Sequence, residues 1–326
     1  MGNEKPAASL SLDLDNLWSY LKTHGDLGWE FFPTYLDNVV PRVLEFLDQR
    51  KLKITFFIVG QDAALPINAA AIRSIVDAGH EVGNHSFSHE PWLHLYTEQQ
   101  IEEELTRAEE KIQAVTGQKP VGFRGPGYSL SISVLRVLSR RGYLFDASTL
   151  PTFLGPLARA YYFMTTKLSK KDRETRKLLF GRLQDGLRPL RPYRWHLEGF
   201  DNGLIEIPVT TMPLFRIPFH ISYILYISRF SPFLALVYFR FAVALCKLTQ
   251  TKPSLLLHPL DFLGPEDVKE LAFFPAMNLS AAKKMKIVSD VLKIYTDNFN
   301  VLPMGEFAQM IGKAENTVTK DPVLVL

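Results

Sequence analysis

Two groups of residue types that bind metal ions occur in short segments of the chain. Asp13 and Asp15 lie in SLDLDN, and His85 and His89 lie in HSFSH. Strand side chains at positions i and i+2 point to the same face, so the two carboxylates would share one side of a strand. Two like charges at that separation are unfavourable unless a cation or a proton lies between them. Two histidines four residues apart can bind one cation when the backbone turns between them.

Three further polar side chains follow apolar segments that are typical of strands. Arg124 ends VGFR, and the next residues are GPG, in which Gly125 and Gly127 allow a sharp turn. Asp146 follows YLF, and His258 follows SLLL. A histidine within reach of a carboxylate is a candidate general acid, because the carboxylate can raise its pKa towards neutrality.

Each motif also has a plain structural interpretation. The carboxylates could be solvated on an edge strand, the histidines could lie on the surface, and GPG could be an ordinary turn. The joint pattern favours chemistry, because all five motifs follow predicted strands. One aspartate and two histidines can bind a divalent cation and leave positions for water and substrate. With nitrogen and oxygen ligands Zn²⁺ is favoured, and Co²⁺, Ni²⁺ or Mn²⁺ are the alternatives.

The elements that must position these residues alternate between strands and helices. We predict strands at 9–15, 54–59, 80–84, 121–124, 143–148, 204–208, 254–261 and 301–304, and helices at 38–51, 66–78, 97–116, 131–141, 280–298 and 305–312. Thr97 and Gln100 match a capping box, and Gly117 is a candidate for the end of that helix. This alternation indicates βαβ units and an α/β fold with a parallel sheet or barrel, whose sites lie at the C-terminal ends of the strands.

Residues 150–250 interrupt the alternation and are expected to form an insertion. Within it, 167–194 has ten Lys or Arg and three Asp or Glu, a net charge of +7 in a chain whose total is +3. The segment 217–248 is rich in Ile, Leu, Phe and Tyr, but its uncharged runs are shorter than the ~20 residues of a membrane-spanning helix. It is either hidden core or an interfacial element. Together, the two features favour association with an anionic membrane surface.

Composition narrows the class of protein. The chain has 326 residues, 47% hydrophobic and 22% charged, which is typical of a globular protein and excludes disordered, collagen-like and coiled-coil chains. A net charge of +3 does not indicate a nucleic-acid binder, and a single cysteine excludes an intrachain disulfide. The first residues lack the basic stretch and apolar core of a secretion signal, so we expect a cytoplasmic protein. We expect one domain over 1–312 and a loose tail over 313–326.

The ordered segments SLDLDN, HSFSH, FRGPGYS, FDAS and LLLHPLD resemble the five motifs of the polysaccharide deacetylase family, the NodB-homology domain of the family 4 carbohydrate esterases. The resemblance covers about 9–150 and 200–310. It implies a distorted (β/α) barrel and a metal-dependent hydrolase that cleaves the N-acyl amide bond of an amino sugar.

The resemblance also implies roles at the metal. Asp15, His85 and His89 would hold the ion. Asp13 would be the general base that deprotonates the attacking water, and Arg124 would orient Asp13 and tune it electrostatically.

Further roles implied by the resemblance concern the leaving group and the acyl group. His258 would protonate the leaving amine, with Asp146 as its orienting partner. A backbone N–H near Gly127 or Tyr128 would stabilise the oxyanion. Leu257 would line a small pocket for the acyl group.

The insertion bears on the substrate. A basic, apolar surface on a protein without a secretion signal favours an amino sugar carried on a polyprenyl phosphate at the cytoplasmic membrane face. This resembles the branch that includes the undecaprenyl-phosphate-formamidoarabinose deformylase, and the acyl group would be acetyl or formyl. Lys and Arg of 167–194 could contact the lipid phosphate. The alternatives are a deacetylase of a polymeric glycan or peptidoglycan, an amidase acting on a small amide, and a non-catalytic glycan- or membrane-binding barrel.

Overall fold

A ten-stranded, mostly parallel sheet organises the molecule. The structure, a computed structural model, describes residues 5–157, 164, 166, 183–200, 203–314 and 317–322. The strands are β1 (Ala7–Asp13), β2 (Thr55–Ile58), β3 (Glu81–Asn84), β4 (Gly122–Phe123), β5 (Phe145–Asp146), β6 (Tyr193–Trp195), β7 (Ile205–Glu206), β8 (Ser254–Leu257), β9 (Asn300–Leu302) and β10 (Thr319–Lys320). Their order is β10-β6-β7-β5-β4-β3-β2-β1-β8, and β9 also pairs with β1.

The direction of the strands decides where the polar side chains meet. The pairings of β1 with β2 and β8, and those that link β2, β3, β4, β5 and β7, are all parallel. Only the pairing of β6 with β7 is antiparallel among the described strands. The C-terminal ends of seven strands therefore lie along one edge, which we call the C-terminal edge. The predicted parallel α/β architecture is confirmed.

Ten α-helices connect and cover the strands of the described part of the chain. They are α1 (Leu17–His24), α2 (Leu36–Asp48), α3 (Gly60–Ala64), α4 (Ala69–Asp77), α5 (Glu98–Thr116), α6 (Ile132–Arg140), α7 (Ile221–Ser228), α8 (Pro232–Leu248), α9 (Ala281–Asn298) and α10 (Met304–Gly312). The predicted capping box of α5 is confirmed, because Thr97 and Gln100 each accept a hydrogen bond from the other's backbone N–H. Gly117 ends the helix with a φ of 74°.

Three buried clusters hold the helices against the sheet. The largest contains apolar side chains of β1, β2 and β8 together with those of α2, α4, α8 and α9. A second lies under α5 and α6 and includes Phe123 and Trp195. The third contains Phe57 and Phe145 from the sheet and Phe307 from α10. Helices pack on both faces of the sheet, so most of β1 is buried. Asp13, its last residue, is buried as well and has little contact with solvent.

The insertion supplies strands β6 and β7 and helices α7 and α8. The two helices occupy the apolar stretch 217–248, and α8 buries Phe239 and Ala242 in the largest core cluster. Within the described ranges, no helix combines the length and apolarity needed to cross a bilayer. Of the predicted basic segment, 167–182 lies outside the described residues.

The C-terminal tail differs from the prediction. Thr319–Lys320 forms β10, which pairs in parallel with β6. Arg194 N–H donates to the Val318 carbonyl and His196 N–H donates to the Lys320 carbonyl, both at 2.8 Å. The prediction of a loose tail is therefore wrong for these residues, because backbone pairing to an otherwise open sheet edge holds them.

The capping box yields a prediction about stability. Thr97→Ala removes the oxygen that accepts from the Gln100 backbone N–H, so we expect the free energy of unfolding to fall by about 1 kcal/mol in chemical denaturation. Thr106→Ala is the matched control, because the Thr106 hydroxyl only donates to the Glu102 carbonyl inside the same helix, and its loss should stay within about 0.5 kcal/mol. Equal losses from the two substitutions would contradict a capping role for Thr97.

Candidate active site

The structure brings Asp15, His85 and His89 together at the C-terminal edge. Asp15 Oδ1 lies 3.3 Å from His85 Nε2 and 3.0 Å from His89 Nε2. One donor atom from each residue lies within 4.8 Å of the others, and all three residues are buried. Asp15 follows β1 and the histidines follow β3, so the two parallel pairings of β2, with β1 and with β3, position the set. One carboxylate and two imidazoles at these separations can share one cation.

The hydrogen bonds of His85 test whether this set fits a metal ion. His85 Nδ1 lies 2.7 Å from the carbonyl oxygen of Arg124, which can only accept, so Nδ1 carries a hydrogen. In the neutral ring Nε2 then presents a lone pair towards the Asp15 carboxylate. Two acceptors facing each other at 3.3 Å are repulsive unless a cation lies between them or the ring is protonated. A backbone carbonyl that fixes the tautomer of a metal-binding histidine is a common arrangement, so the set fits a divalent cation.

The pKa values describe the same site without a cation. Burial by itself would raise the pKa of Asp15, but His89 and His85 hold it well below the ordinary value. Burial by itself would lower the pKa of His85, but Asp13 and Asp15 outweigh burial and raise it. Burial and the Asp15 carboxylate together raise the pKa of the Tyr20 phenol well above its ordinary value. The site therefore favours positive charge between its carboxylates.

Asp13 is held by Arg124, as the family resemblance implies. Arg124 Nη1 donates to Asp13 Oδ1 at 2.6 Å and to Ser11 Oγ at 2.9 Å. Arg124 Nε donates to the Ala147 carbonyl at 3.0 Å, and the guanidinium lies 4.3 Å from the Phe57 ring centre. The arginine is fully buried, so these contacts replace its lost hydration. Asp13 is thus fixed beside the metal-binding set with its charge balanced.

The loop after Arg124 has the sharp turn that GPG predicts. A Cβ on Gly125 would lie 2.1 Å from the Ser129 carbonyl oxygen, so only glycine fits there. Gly127 and Tyr128 both have left-handed backbones, with φ of 58° and 59°. The Tyr128 N–H donates to the Gly125 carbonyl at 2.9 Å, which removes it as an oxyanion donor. Gly127 N–H, which takes no part in that bond, is the remaining candidate.

His258 has a different partner from the one expected. Ser222 Oγ lies 3.3 Å from His258 Nδ1 and 3.2 Å from Asp261 Oδ1, and the His258 backbone N–H donates to Asp261 Oδ2 at 2.7 Å. Asp261 is buried, and burial raises its pKa. Ser222 can accept from the imidazole and donate to the carboxylate, so it links them. The LHPLD motif contains Asp261 three residues after His258, which is a signal that sequence reasoning passed over.

Asp146 pairs with another acid instead of His258. Its Oδ1 accepts from Ser148 Oγ at 2.6 Å, and its carboxyl group lies opposite Glu206 on the neighbouring strand β7. The predicted pairing of Asp146 with His258 is therefore wrong. The reason is that β5 and β7 are neighbours, whereas His258 follows β8, five strands away from β5 in the sheet order. Glu206 is a buried carboxyl that sequence reasoning missed.

A second missed acid lies behind the metal-binding set. The buried Asp62 accepts from Asn16 Nδ2 at 2.7 Å and from Trp18 Nε1 at 2.9 Å. Burial raises the pKa of Asp62 to about 7. These bonds tie the segment that follows Asp15 to α3, so they hold the Asp15 backbone in place.

An apolar cavity opens beside the polar cluster. It has a volume of about 670 Å³, and its polar end includes Asp15, His258 and Asp261. The rest of its wall is largely aromatic and aliphatic, from Tyr20, Leu154, Leu157, Tyr223, Leu225, Tyr226, Leu260, Phe273 and Phe274. The predicted pocket residue Leu257 is buried in the largest core cluster and is not part of this wall. Its strand position points it into the core, and Leu260 takes its place.

Comparisons with known proteins address the resemblance. The family model described as polysaccharide deacetylase matches residues 25–145. The match includes His85, His89, Arg124, Gly127 and Tyr128, whereas Asp13, Asp15 and His258 lie outside it. Over this part of the chain, the predicted resemblance to the polysaccharide deacetylase family is confirmed.

The similarity to curated relatives extends over only part of this chain and part of each relative. A peptidoglycan deacetylase of Helicobacter pylori is 29% identical over 169 residues, which is 52% of this chain and 52% of that protein. A peptidoglycan-N-acetylmuramic acid deacetylase of Bacillus subtilis is 34% identical over 110 residues, or 33% of this chain and 41% of that protein. This chain therefore spans about half, or less, of the length of these relatives.

Solved structures show the same fold over nearly the whole chain. A Mycobacterium smegmatis protein assigned to the polysaccharide deacetylases has a TM-score of 0.62 at 21% identity, covering 95% of this chain and 91% of that chain. The allantoinase PuuE has a TM-score of 0.61 at 16% identity, covering 96% and 92%. The predicted distorted (β/α) barrel is thereby confirmed.

The geometry of the set predicts which substitutions remove a metal ion. His85→Ala deletes one of three ligands, so we expect the affinity for Zn²⁺ in isothermal titration calorimetry to fall at least about 100-fold. His80→Ala is the control, because His80 lies before β3 at the opposite end of the sheet and only accepts from the Ile54 N–H. Unchanged Zn²⁺ affinity in His85→Ala would rule out this site.

Proposed function

We propose that this protein is a metal-dependent hydrolase that removes an N-acyl group, acetyl or formyl, from an amino sugar. One observation carries the proposal: three groups with separate chemical capacities converge on the C-terminal edge. They are a metal-binding set, a carboxylate held by a buried arginine, and a histidine linked to a buried carboxylate. Amide hydrolysis needs water activation, a general base and a general acid, and these groups supply all three.

The metal would be held by Asp15, His85 and His89. When bound, it would polarise the acyl carbonyl and favour deprotonation of the attacking water. Zn²⁺ is the ion we propose, because the ligands are nitrogen and oxygen atoms in a set of three.

The chain's own residues carry the proton transfers. Asp13, held by Arg124 at 2.6 Å, accepts the proton of the attacking water. Gly127 N–H donates to the carbonyl oxygen as negative charge develops there. His258 donates a proton to the leaving amine, while Ser222 and Asp261 orient its ring and balance its positive charge. The proposed base therefore lies at the end of β1, and the proposed acid follows β8, the strand that pairs with β1.

The proposed base gives a direct test of the chemistry. Asp13→Asn keeps all three metal ligands but cannot accept a proton, so we expect kcat to fall about 10²- to 10⁴-fold while Zn²⁺ affinity stays within about tenfold. The assay incubates Zn²⁺-loaded protein with membrane lipid extract or with N-acetylated chitin tetramer, and mass spectrometry detects loss of acetyl or formyl. Normal turnover by Asp13→Asn would show that Asp13 is not the base.

We extend the proposal to a substrate whose sugar is attached to a lipid. The cavity supports this, because it begins at Asp15 and His258 and continues as an apolar wall that a soluble sugar would leave unfilled. A hydrocarbon chain gains about 25 cal/mol for each Å² that it removes from water. A polymeric glycan such as peptidoglycan is the alternative substrate, and the relatives named as peptidoglycan deacetylases support it.

We also propose that α8 docks on an anionic membrane surface, at the cytoplasmic face. Its exposed large apolar side chains are Phe233, Leu234, Val237, Phe241 and Leu248, and their spacings of one, three, four and seven residues place them along one side of the helix. Phe215 extends this face through its contact with Phe241, at 6.1 Å between ring centres. We call this surface the α8 face.

Charge and position support a lipid partner for the α8 face. Arg240 and Lys247 follow Phe233 by seven and fourteen residues, so they lie beside the apolar side chains and can meet anionic headgroups. Tyr226 extends the apolar surface from the cavity towards the start of α8, because it lines the cavity and contacts Phe230, two residues before α8, at 5.9 Å between ring centres. A lipid chain could therefore pass from the membrane to the cavity along apolar side chains.

Flotation with anionic liposomes tests the membrane proposal. Val237→Asp puts a charge into the α8 face, so we expect the bound fraction, expressed as a partition coefficient, to fall about tenfold or more. Val121→Asp is the matched control: Val121 is 40% exposed and Val237 44%, and Val121 precedes β4 at the opposite end of the sheet. Equal flotation of both variants, or no flotation of the unmodified protein, would contradict the proposal.

A further inference from the structure

Two buried carboxyl groups lie side by side at the C-terminal edge, outside the metal-binding set. Asp146 and Glu206 face each other on the paired strands β5 and β7, and neither is exposed to solvent. Glu206 accepts from Thr149 Oγ1 at 2.6 Å and from Trp195 Nε1 at 3.0 Å. Burial raises the pKa of both acids, and Asp146 further raises that of Glu206. Each of the two acids therefore holds a proton more readily than a solvated carboxyl group does.

The acid pair holds the segment that contacts the catalytic groups. Asp146 accepts from Ser148 Oγ at 2.6 Å, and Ser148 Oγ in turn accepts from the Gly125 N–H at 2.7 Å. The Ala147 carbonyl, between these residues, accepts from Arg124 Nε at 3.0 Å. Ala147 therefore holds Arg124, and the adjacent Ser148 holds Gly125, the first residue of the Gly125–Tyr128 loop.

Burying two acids in one place is costly unless each polar atom has a partner. An apolar pair at 146 and 206 would fill the same space, but it would leave the Ser148 and Thr149 hydroxyls without acceptors. Ser148 Oγ accepts from the Gly125 N–H, and the adjacent Ala147 carbonyl accepts from Arg124 Nε. The two buried acids therefore lie where the hydrogen bonds that depend on them can orient the catalytic groups.

We propose that Glu206 is a positioning residue: through Asp146 and Thr149 it holds the 147–148 backbone that aligns Arg124 with Asp13 and sets the oxyanion loop. The expected effect of Glu206 on catalysis rests on the proposed function. Its effect on Arg124 is measurable without any substrate. Because Arg124 reaches the general base, a displacement of about 1 Å would cost up to about 10²-fold in rate.

The first measurement follows the Arg124 Nε–H by NMR in the full-length protein, with the resonance assigned by its loss in Arg124→Lys. This hydrogen is buried and donates to the Ala147 carbonyl, so it should exchange slowly with solvent. In Glu206→Ala we expect its exchange to become at least about tenfold faster. Glu81→Ala is the matched control, because Glu81 accepts from Thr55 and the Gly305 N–H at the opposite end of the sheet, and exchange should stay within about twofold.

The second measurement is turnover of N-acetylated chitin tetramer by Zn²⁺-loaded protein. In Glu206→Ala we expect kcat to fall about 10- to 100-fold while KM stays within about twofold, because substrate contacts are unchanged. Glu206→Gln keeps an N–H donor for Asp146 and an acceptor for Thr149, but loses the acceptor for Trp195. It should therefore remain within about fivefold of the unmodified protein in both measurements.

The outcomes separate this inference from the proposed function. If the unmodified protein removes no acyl group from either chitin tetramer or membrane lipid extract, the proposed function fails and the exchange of the Arg124 Nε–H alone decides. Unchanged exchange and kcat in Glu206→Ala would overturn the positioning role, and so would equal damage from Glu81→Ala. If Glu206→Ala does not fold, Ser148→Ala removes the hydroxyl that links Asp146 to the Gly125 N–H and keeps the Ala147 carbonyl that binds Arg124. It should lower kcat while Arg124 exchange stays slow, and an unchanged kcat would overturn the inference.

Discussion

The candidate site depends on one buried cation, the guanidinium of Arg124. A charge without solvent is stable only when its partners are fixed, and removing one partner of a buried pair costs about 3–5 kcal/mol. Asp13, Ser11 and the Ala147 carbonyl are those partners, and the Arg124 carbonyl accepts from His85. A single residue at the end of β4 therefore orients the proposed base with its side chain and a metal-binding histidine with its backbone.

Asp13, the last residue of β1, and Asp15, two residues later, have different environments although they are close in the sequence. Leu14 is buried with the apolar core, which leaves Asp13 and Asp15 on the polar side. Asp13 faces a permanent cation, whereas Asp15 faces two imidazoles whose charge depends on pH and on metal. The neighbours of each aspartate thus favour Asp13 as the base and Asp15 as the metal ligand. These are the roles that the family resemblance implies.

The insertion changes what the shared barrel presents to a substrate. Its helix α7 supplies Ser222 to the His258 cluster and Leu225 and Tyr226 to the cavity wall, while α8 places apolar side chains in the core and on the surface. The same segment therefore contributes to the proposed acid, to the cavity and to the α8 face. This coupling explains why a chain with relatives among peptidoglycan deacetylases is proposed to act on a lipid-linked sugar.

The order of apolar runs and polar endings was enough to predict a parallel sheet with Asp15, His85 and His89 at one edge. The reason is that the C-terminal ends of parallel strands must lie together, whichever loops connect them. Only the tertiary structure decided that Ser222 links His258 to Asp261 and that Asp146 faces Glu206. Those contacts depend on which elements are neighbours, and strands of two residues such as β5 and β7 carry no periodicity that could reveal their neighbours.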